Sequence, residues 1–400
     1  MKYFLLGGVL LAQDTLRFMA YNLLLYGATP GYCNTSCKDQ QLRTIVSYVR
    51  PHLIGVNEIG PSAALVRRIL DSVLNVGTVS YWRSSVYANT TNSNIVNALF
   101  YDSRYFEWIG QELVTTQGGL RDIYAYHLYY KELPPITDTL FLVVIVSHLK
   151  AGNTPSDEQA RAQAALAIKQ YIQALPPNRR RFVVEMGDHN LYAASEAAYQ
   201  TLTQELVDPG PAGGWSGNQA FAFYHTQSTR TSSLPDDGVG GGLNDRFDFI
   251  FFSPECTTLT ARAQYIPGSF RVVGQDGQRF GRALNSQPLP AGYPASVINA
   301  LYTMSDHLPV IADFRLPRSA AATLVKGGQE VLPAYIYELR SGTLLLKAYK
   351  PCKVDIYDVQ GRLWASVSLE RGEERSYELL PGLYLLRNEE GYTQRLFISP

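Results

Sequence analysis

Met304-Ser305-Asp306-His307-Leu308-Pro309-Val310 sets a polar triplet against the start of an apolar run, Val310 to Phe314, and the reading of the chain turns on this junction. Strand ends are where open α/β sheets carry their sites. The chain has six histidines, and two more stand in the same context. His148 closes the run Leu140 to Ser147, and His189 follows Asp188 just beyond Phe182-Val183-Val184. One such histidine is as well read as a structural residue; three together indicate chemistry. Carboxylates share the placement. Glu58 follows Leu53-Ile54-Gly55-Val56, and Asp248 sits inside Arg246-Phe247-Asp248-Phe249-Ile250-Phe251-Phe252. A carboxylate there requires a partner, because burying one unpaired is costly. A histidine would serve, as would Arg246 on the same strand face.

Further strand-like runs are Leu16 to Asn22, Ala98 to Tyr101, Ile123 to Tyr130 and Arg181 to Met186. Helical patterns lie between them: Gln40 to Val49 after a capping Asp39, Ser62 to Leu74 after Pro61, and Ser156 to Leu175 stopping at Pro176-Pro177. Strands interleaved with helices predict an α/β core. Residues 209–245, rich in Gly, Pro, Ser and Asn, read as a long functional loop leading into the Asp248 strand. Its His225-Thr226-Gln227-Ser228-Thr229-Arg230 offers donors either to a substrate phosphate or to solvent.

Formal net charge is zero, so no global electrostatic argument favours nucleic acid or an anionic membrane. Residues 1–13 have the layout of a secretory signal peptide: Lys2, an apolar run, then the small Ala12. A buried first strand is the alternative. No other stretch has the roughly 18 unbroken apolar residues of a membrane helix. Cys33 and Cys37 have no nearby residues to complete a zinc site, and export would allow them to close a small disulfide loop.

The order Asn22, Glu58, His148, Asp188 with Asn190, Asp248, then Asp306-His307 resembles the endonuclease/exonuclease/phosphatase (DNase I-like) superfamily, over about residues 16–315. The most specific elements are Ser305-Asp306-His307 and Gly187-Asp188-His189-Asn190. Phe18-Met19-Ala20-Tyr21-Asn22, Glu58 and the Arg-x-Asp of 246–248 support them. Asn57 stands where the family commonly has Gln, and His189 where it commonly has an aromatic.

The resemblance implies an α/β (α+β) four-layer sandwich, two mixed β-sheets flanked by helices, for a catalytic domain over 14–317. It implies a divalent cation, Mg²⁺ or else Mn²⁺ or Ca²⁺, on Glu58 with Asn22 and Asp306. His307 would act as general base oriented by Asp248. Asp188 and Asn190 would position the nucleophile or leaving group, and His148 would donate to the phosphate. The substrate would be a phosphate ester, with nucleic acid first, a sphingomyelinase-like phospholipid activity second, and an inactive binding protein on the same fold third. A binding module has no need of a metal ligand, a histidine and its orienting Asp together.

After Pro317 the texture changes. Residues 318–329 read as a linker and 330–400 as short strands forming a small β-sandwich, with a turn at Asp358-Val359-Gln360-Gly361. Val354 to Arg362 followed by Leu380-Pro381-Gly382-Leu383-Tyr384-Leu385 resembles the C-terminal sorting domain of the type IX secretion system. With the leader, this implies a secreted or surface-attached monomer handled by that export machinery. A plain accessory β-module is the alternative.

Overall fold

The computed structural model describes residues 13–28, 31–132, 139–258, 260–317, 325–326, 329–330, 335–340, 343–348, 351–358, 362–379, 382–388 and 393–398. Residues 1–12 of the expected leader, most of the expected linker, and turn residues 359–361 lie outside them. The chain divides into two compact units, Met1–Lys131 with Asp138–Pro317, and Arg318–Pro400 with Glu132–Thr137.

The larger unit runs β1 (Gln13–Tyr26), α1 (Thr35–Val49), β2 (Leu53–Ile59), α2 (Ala63–Ile69), β3 (Trp82–Ser84), β4 (Val96–Asp102), β5 (Phe106–Thr115), β6 (Ile123–Tyr130), β7 (Phe141–His148), α3 (Pro155–Ala174), α4 (Pro177–Arg180), β8 (Val183–Asp188), α5 (Ala197–Leu202), β9 (Asp248–Phe252), β10 (Gln264–Tyr265), β11 (Arg271–Val272), α6 (Ala295–Met304) and β12 (Val310–Pro317). One sheet is seven-stranded in the order β10-β12-β1-β2-β4-β3, with β11 also on β12; the other is five-stranded, β5-β6-β7-β8-β9. Each is mixed, with one parallel pair, β1/β2 and β7/β8, among antiparallel neighbours.

The sheets pack face to face. Phe18, Phe106, Phe182, Phe252 and Phe314 meet between them with ring centroids 4.9 to 5.9 Å apart. Such pairs add roughly 0.5–1.5 kcal/mol each beyond the area they bury. Gly55 permits the closest approach, since a Cβ there would lie 2.7 Å from Met186 Sδ. Helices form the outer layers. Ala164, Ala165, Ile168 and Ile172 of α3, with Ala198 and Leu202 of α5, pack on Ile123, Val143, Ile145 and Val183. α1 and α6 share the core of the seven-stranded sheet through Leu42, Ile45, Val297, Ile298 and Leu301. The four-layer α/β sandwich is the expected fold class.

Local signals set the helix ends. α3 opens with a capping box, Thr154 with Asp157, and Pro155 at its first turn. α1 begins at Thr35, ahead of the expected Gln40. Asn34 caps it by accepting from the Cys37 amide at 3.0 Å, and a Cys33–Cys37 disulfide closes that turn. Asp39, expected as the cap, instead accepts from Tyr26 Oη and pairs with Arg68. Residues 209–245 are a packed segment: Trp215 is wholly buried, Gln219–Tyr224 is a 3₁₀ helix, and His225, Thr226, Thr229 and Arg230 are fully buried.

Besides the short antiparallel pair Val325–Lys326 with Gln329–Glu330, the described residues of the smaller unit form two larger antiparallel sheets. Tyr335–Arg340, Thr343–Ala348 and Glu374–Glu378 make one; Leu363–Leu369, Cys352–Asp358, Gly382–Asn388 and Thr393–Ile398 make the other. Leu344, Leu346 and Ala348 of the first share a core with Val354, Ile356, Val367, Leu369 and Leu386 of the second.

Register explains how residues far apart in sequence converge. Asn22 pairs with Asn57 where β1 and β2 run out, and His148 pairs with Asp188 where β7 and β8 run out. Asp188 also pairs with Asp248, the first residue of antiparallel β9, and Asp306-His307 immediately precedes β12, antiparallel to β1. Gly187 allows this end to form: its φ is +139°, and a Cβ would stand 2.0 Å from the Ser147 carbonyl oxygen. Gly187→Ala is therefore expected to lower unfolding stability by on the order of 3 kcal/mol, as backbone strain and displacement of β7 combine, read by chemical denaturation against wild type.

Candidate active site

At the shared end of the parallel pairs, Asn22 Nδ2 lies 3.0 Å from both Glu58 Oε1 and Asp188 Oδ2. Asn22 Oδ1 accepts from the Leu24 amide at 2.9 Å, and Glu58 Oε2 from the Leu25 amide at 3.1 Å. These amides are available because Leu24, Leu25 and Glu58 hold left-handed φ values of 47°, 52° and 61°, an uncommon conformation for such residues. The β1 bend is held by Lys38 of α1, a buried ammonium that donates to the Leu23 carbonyl at 2.7 Å and to that of Leu24. Asn22 was expected beside the metal ligands. Its oxygen accepts from the Leu24 amide, and its amide group orients the two carboxylates.

Asp188 is buried. Its Oδ1 accepts from the Asn190 amide at 3.1 Å, and its own amide donates to Asn57 Oδ1 at 3.0 Å. Asn57 joins the two sheets, donating to the Ser147 carbonyl and to Asn97 Oδ1 at 2.9 Å each. Burial pushes the Asp188 carboxyl up to about 7; the neighbouring His307 opposes this, and the charges of Asp248 and Glu58 add to it. Asn190, at φ 51°, donates to the Leu149 carbonyl at 3.2 Å.

His307 Nδ1 lies 2.8 Å from Asp248 Oδ2, so the buried carboxylate takes the histidine and not Arg246. Arg246 pairs with Asp208 at 2.6 Å and lies 4.2 Å over the Phe249 ring. Ser305 fixes the strand entry: its Oγ donates to the Asn22 carbonyl at 2.8 Å and accepts from the His307 amide at 3.0 Å. Burial alone would lower the proton affinity of His307, but Asp248 and Asp188 raise it well above an ordinary imidazole's. Gln227 Nε2 stands 3.1 Å from Asp306 Oδ2 and 2.7 Å from His307 Nε2. The Asp306 carboxylate accepts only, which turns the amide NH₂ toward both partners and leaves His307 Nε2 as acceptor. In the neutral ring, Nδ1–H toward Asp248 and a lone pair on Nε2 make the tautomer of a general base.

His148 Nε2 approaches Asp188 Oδ2 at 3.5 Å and Glu58 Oε1 at 3.8 Å. Its Nδ1 meets Arg121 Nη1 at 2.6 Å. Burial, and then the Arg121 charge, hold its pKa well below the usual value. His189 is structural: it is fully buried, bonded to Glu185 at 2.6 Å and flanked by the Phe249 and Phe251 rings.

The donor set suits a hard cation. Glu58, His148 and Asp188 bring ligand atoms within 4.8 Å of one another. Asp306 Oδ1 is buried with no hydrogen-bond partner, although Oδ2 accepts from Gln227 and Val239. Buried carboxylate oxygens without donors are costly and match the oxygen preference of Mg²⁺ or Ca²⁺. The 225–230 segment departs from both sequence expectations. His225 bonds the Trp215 carbonyl, Thr226 Oγ1 accepts from the Phe247 and Asp248 amides, and Arg230 pairs with Asp236 at 2.7 Å. Of its side chains, Gln227 reaches the site. Lys38, Arg121 and Asn57 were not read from sequence as site residues; their roles come from long-range contacts that no local pattern announces, while Gln227 was read only as one donor among six in its segment.

No family model and no curated protein matches the chain. Among solved structures the chain is similar to D. rerio TDP2 complexed with single strand DNA product, at 16% identity and TM-score 0.48, over 75% of this chain and 99% of that one. It is similar to an endonuclease/exonuclease/phosphatase from Bacteroides vulgatus at 16% identity and TM-score 0.48, over 76% and 99%. It is also similar to a mannosyl-6-phosphatase of Bacteroides thetaiotaomicron VPI-5482 at 13% identity and TM-score 0.45, over 75% and 99%.

Removing the Lys38 clamp frees the β1 bend that supplies amides to Asn22 and Glu58. Lys38→Met is expected to weaken Mn²⁺ binding by about 10–100-fold, the usual effect of losing a residue that supports ligands, as read by calorimetric titration of the folded variant.

Proposed function

We propose that the chain is an exported, divalent-metal-dependent phosphoesterase that hydrolyses phosphodiester bonds, with nucleic acid as its substrate class. The observation that carries this reading is the meeting of an oxygen-rich acidic pocket with the buried His307–Asp248 pair at 2.8 Å. A hard cation, Mg²⁺ or alternatively Mn²⁺ or Ca²⁺, would be held by Glu58 and Asp188, with Asp306 reaching it directly or through water. When bound it supplies Lewis-acid polarisation of the phosphoryl group and charge for the leaving oxygen. His307 Nε2 accepts the proton of the attacking water, and Asp248 holds the ring and stabilises the imidazolium. Asn190, fixed by Leu149, and Asp188 flank the nucleophile or leaving group. His148 donates toward the phosphate as charge builds in the transition state.

Export is supported by the Cys33–Cys37 disulfide, which fits an oxidising compartment, and we place the chain at the cell surface or outside it through the type IX machinery. Among the described residues no helix is long and apolar enough to cross a membrane. Nucleic acid leads on the order of the sequence motifs. A phospholipid phosphodiesterase is the second reading, because Ile109, Leu113 and Leu120 are exposed on β5 and the turn before Arg121, where apolar side chains suit a lipid surface.

A panel of duplex DNA, RNA, sphingomyelin and inositol phosphates, with Mg²⁺ or with chelator, separates these readings. Chelator-sensitive cleavage of DNA or RNA is expected, and no such cleavage of any substrate refutes the enzyme. His307→Ala is expected to cut kcat by about 10²–10⁴-fold, the usual share of a general base. Metal binding has a definite pH sign. A carboxyl raised to about 7 carries a proton below that pH and contributes stability that is lost as pH rises through it. Mg²⁺ affinity is therefore expected to rise about tenfold per pH unit up to 7 and to level off above, with the thermal stabilisation by Mg²⁺ larger at pH 8 than at pH 6.

A further inference from the structure

Arg121 stands apart from the other arginines in the interior. Arg161 pairs with Glu196, Arg230 with Asp236, Arg246 with Asp208 and Arg279 with Asp276. For Arg121, the side-chain hydrogen bond is to His148 Nδ1 at 2.6 Å, and its Nε is buried without a partner. A guanidinium drawn partly out of water, with Glu58 and Asp188 acting on it only as nearby charges and no carboxylate in hydrogen-bond contact, is costly to hold, so this arrangement calls for a compensating use. The turn that carries it is tied to the site as well. Gln117, at φ 51°, donates through Nε2 to the His148 carbonyl at 3.0 Å and to the Arg121 carbonyl at 3.2 Å.

The chemistry of that contact has one solution. Guanidinium nitrogens donate and cannot accept. His148 Nδ1 must therefore be the acceptor, its ring neutral, and its one N–H on Nε2. That N–H faces Asp188 and Glu58. A protonated ring nitrogen has no lone pair for a metal. We propose that Arg121 is a positioning residue that locks His148 in the Nε2–H tautomer, making His148 a fixed hydrogen-bond donor into the Glu58–Asp188 pocket and excluding it from the metal's ligand set. The two histidines that flank Asp188 are thereby set to opposite tautomers: Gln227 leaves a lone pair on His307 Nε2, and Arg121 leaves a proton on His148 Nε2. One ring accepts and the other donates at the same pocket, which is the division of labour that hydrolysis of a phosphate ester needs. Only the kinetic arm of the test below rests on the phosphoesterase reading.

The test is the ¹⁵N spectrum of imidazole nitrogens in the full chain labelled at histidine, at neutral pH, with the His148 signals assigned by His148→Gln. Wild type is expected to show a protonated Nε2 and an unprotonated Nδ1, unchanged in kind when Mg²⁺ is added. An Nδ1–H tautomer, an imidazolium, or loss of the Nε2 proton on adding Mg²⁺ would overturn the proposal. Arg121→Met is expected to lose this pattern and Arg121→Lys to keep it; an Arg121→Met spectrum identical to wild type refutes the role of Arg121. Wild type decides the tautomer even where Arg121→Met does not fold. With bis(p-nitrophenyl) phosphate and Mg²⁺, Arg121→Met is expected to lower kcat by about 10–100-fold with KM little changed, Arg121→Lys recovering part. A change confined to KM contradicts a donor set for the transition state. No hydrolysis by any form would count against the phosphoesterase and leave the spectroscopic result standing.

Discussion

Negative charge with little water around it is the condition on which the site is built. Asp188 and Asp248 face each other in the register of β8 and β9, both buried, with Glu58 and Asp306 close by. Burial raises the Asp188 carboxyl, and the charges of Asp248 and Glu58 add to it. What surrounds them is compensation: the Asn22 amide between Glu58 and Asp188, the backbone amides of Leu24 and Leu25, the His307 ring on Asp248, and Arg121 behind His148. The proposed divalent cation would complete the set. Each compensating group is then held by something further back, Lys38 for the β1 bend, Ser305 for the His307 backbone and Asn57 for the Asp188 amide.

The fold serves that arrangement through two parallel strand pairs. A parallel pair ends both its strands on one side, so β1/β2 and β7/β8 each deliver two polar residues to one edge. Antiparallel β9 and β12 begin where those pairs stop, and add Asp248 and His307. Close sheet packing at Gly55 and the tight passage at Gly187 bring the two edges together. Six residues spread over most of the larger unit thus meet without any element being distorted except the left-handed residues at the ends of β1 and β2.

Much of this was legible in sequence because apolar runs of strand length stop at polar residues. The runs ending at Asn22, Glu58, His148 and Asp188 give both the strands and the side chains placed at their ends. β5 was not read because it is an edge strand on which Ile109, Glu112 and Leu113 are exposed together, which blurs its pattern. α1 was read short because Asp39 looks like a cap, while the Tyr26 hydroxyl and Arg68 that claim it lie elsewhere in the chain. The supporting residues were hidden for the same reason. Arg121 lies just after two glycines in a turn, Lys38 follows a cysteine, and Gln227 stands among other loop donors with nothing to single it out. The physical fact that gives each its role, a partner across the fold, has no local signature. Asn22 shows the converse: its position was legible, but its oxygen is claimed by the Leu24 amide, a detail of a left-handed bend.

The carboxylate cluster is proposed to hold a divalent cation beside the His307–Asp248 pair, with His148 outside the ligand set. Anomalous diffraction from crystals of the mature chain grown with Mn²⁺ tests it most directly. The account predicts a peak bounded by carboxylate oxygens of Glu58 and Asp188, lost in Glu58→Gln. A cation held through His148 Nε2, or Mn²⁺ absent from this pocket at concentrations that saturate binding in solution, would contradict it.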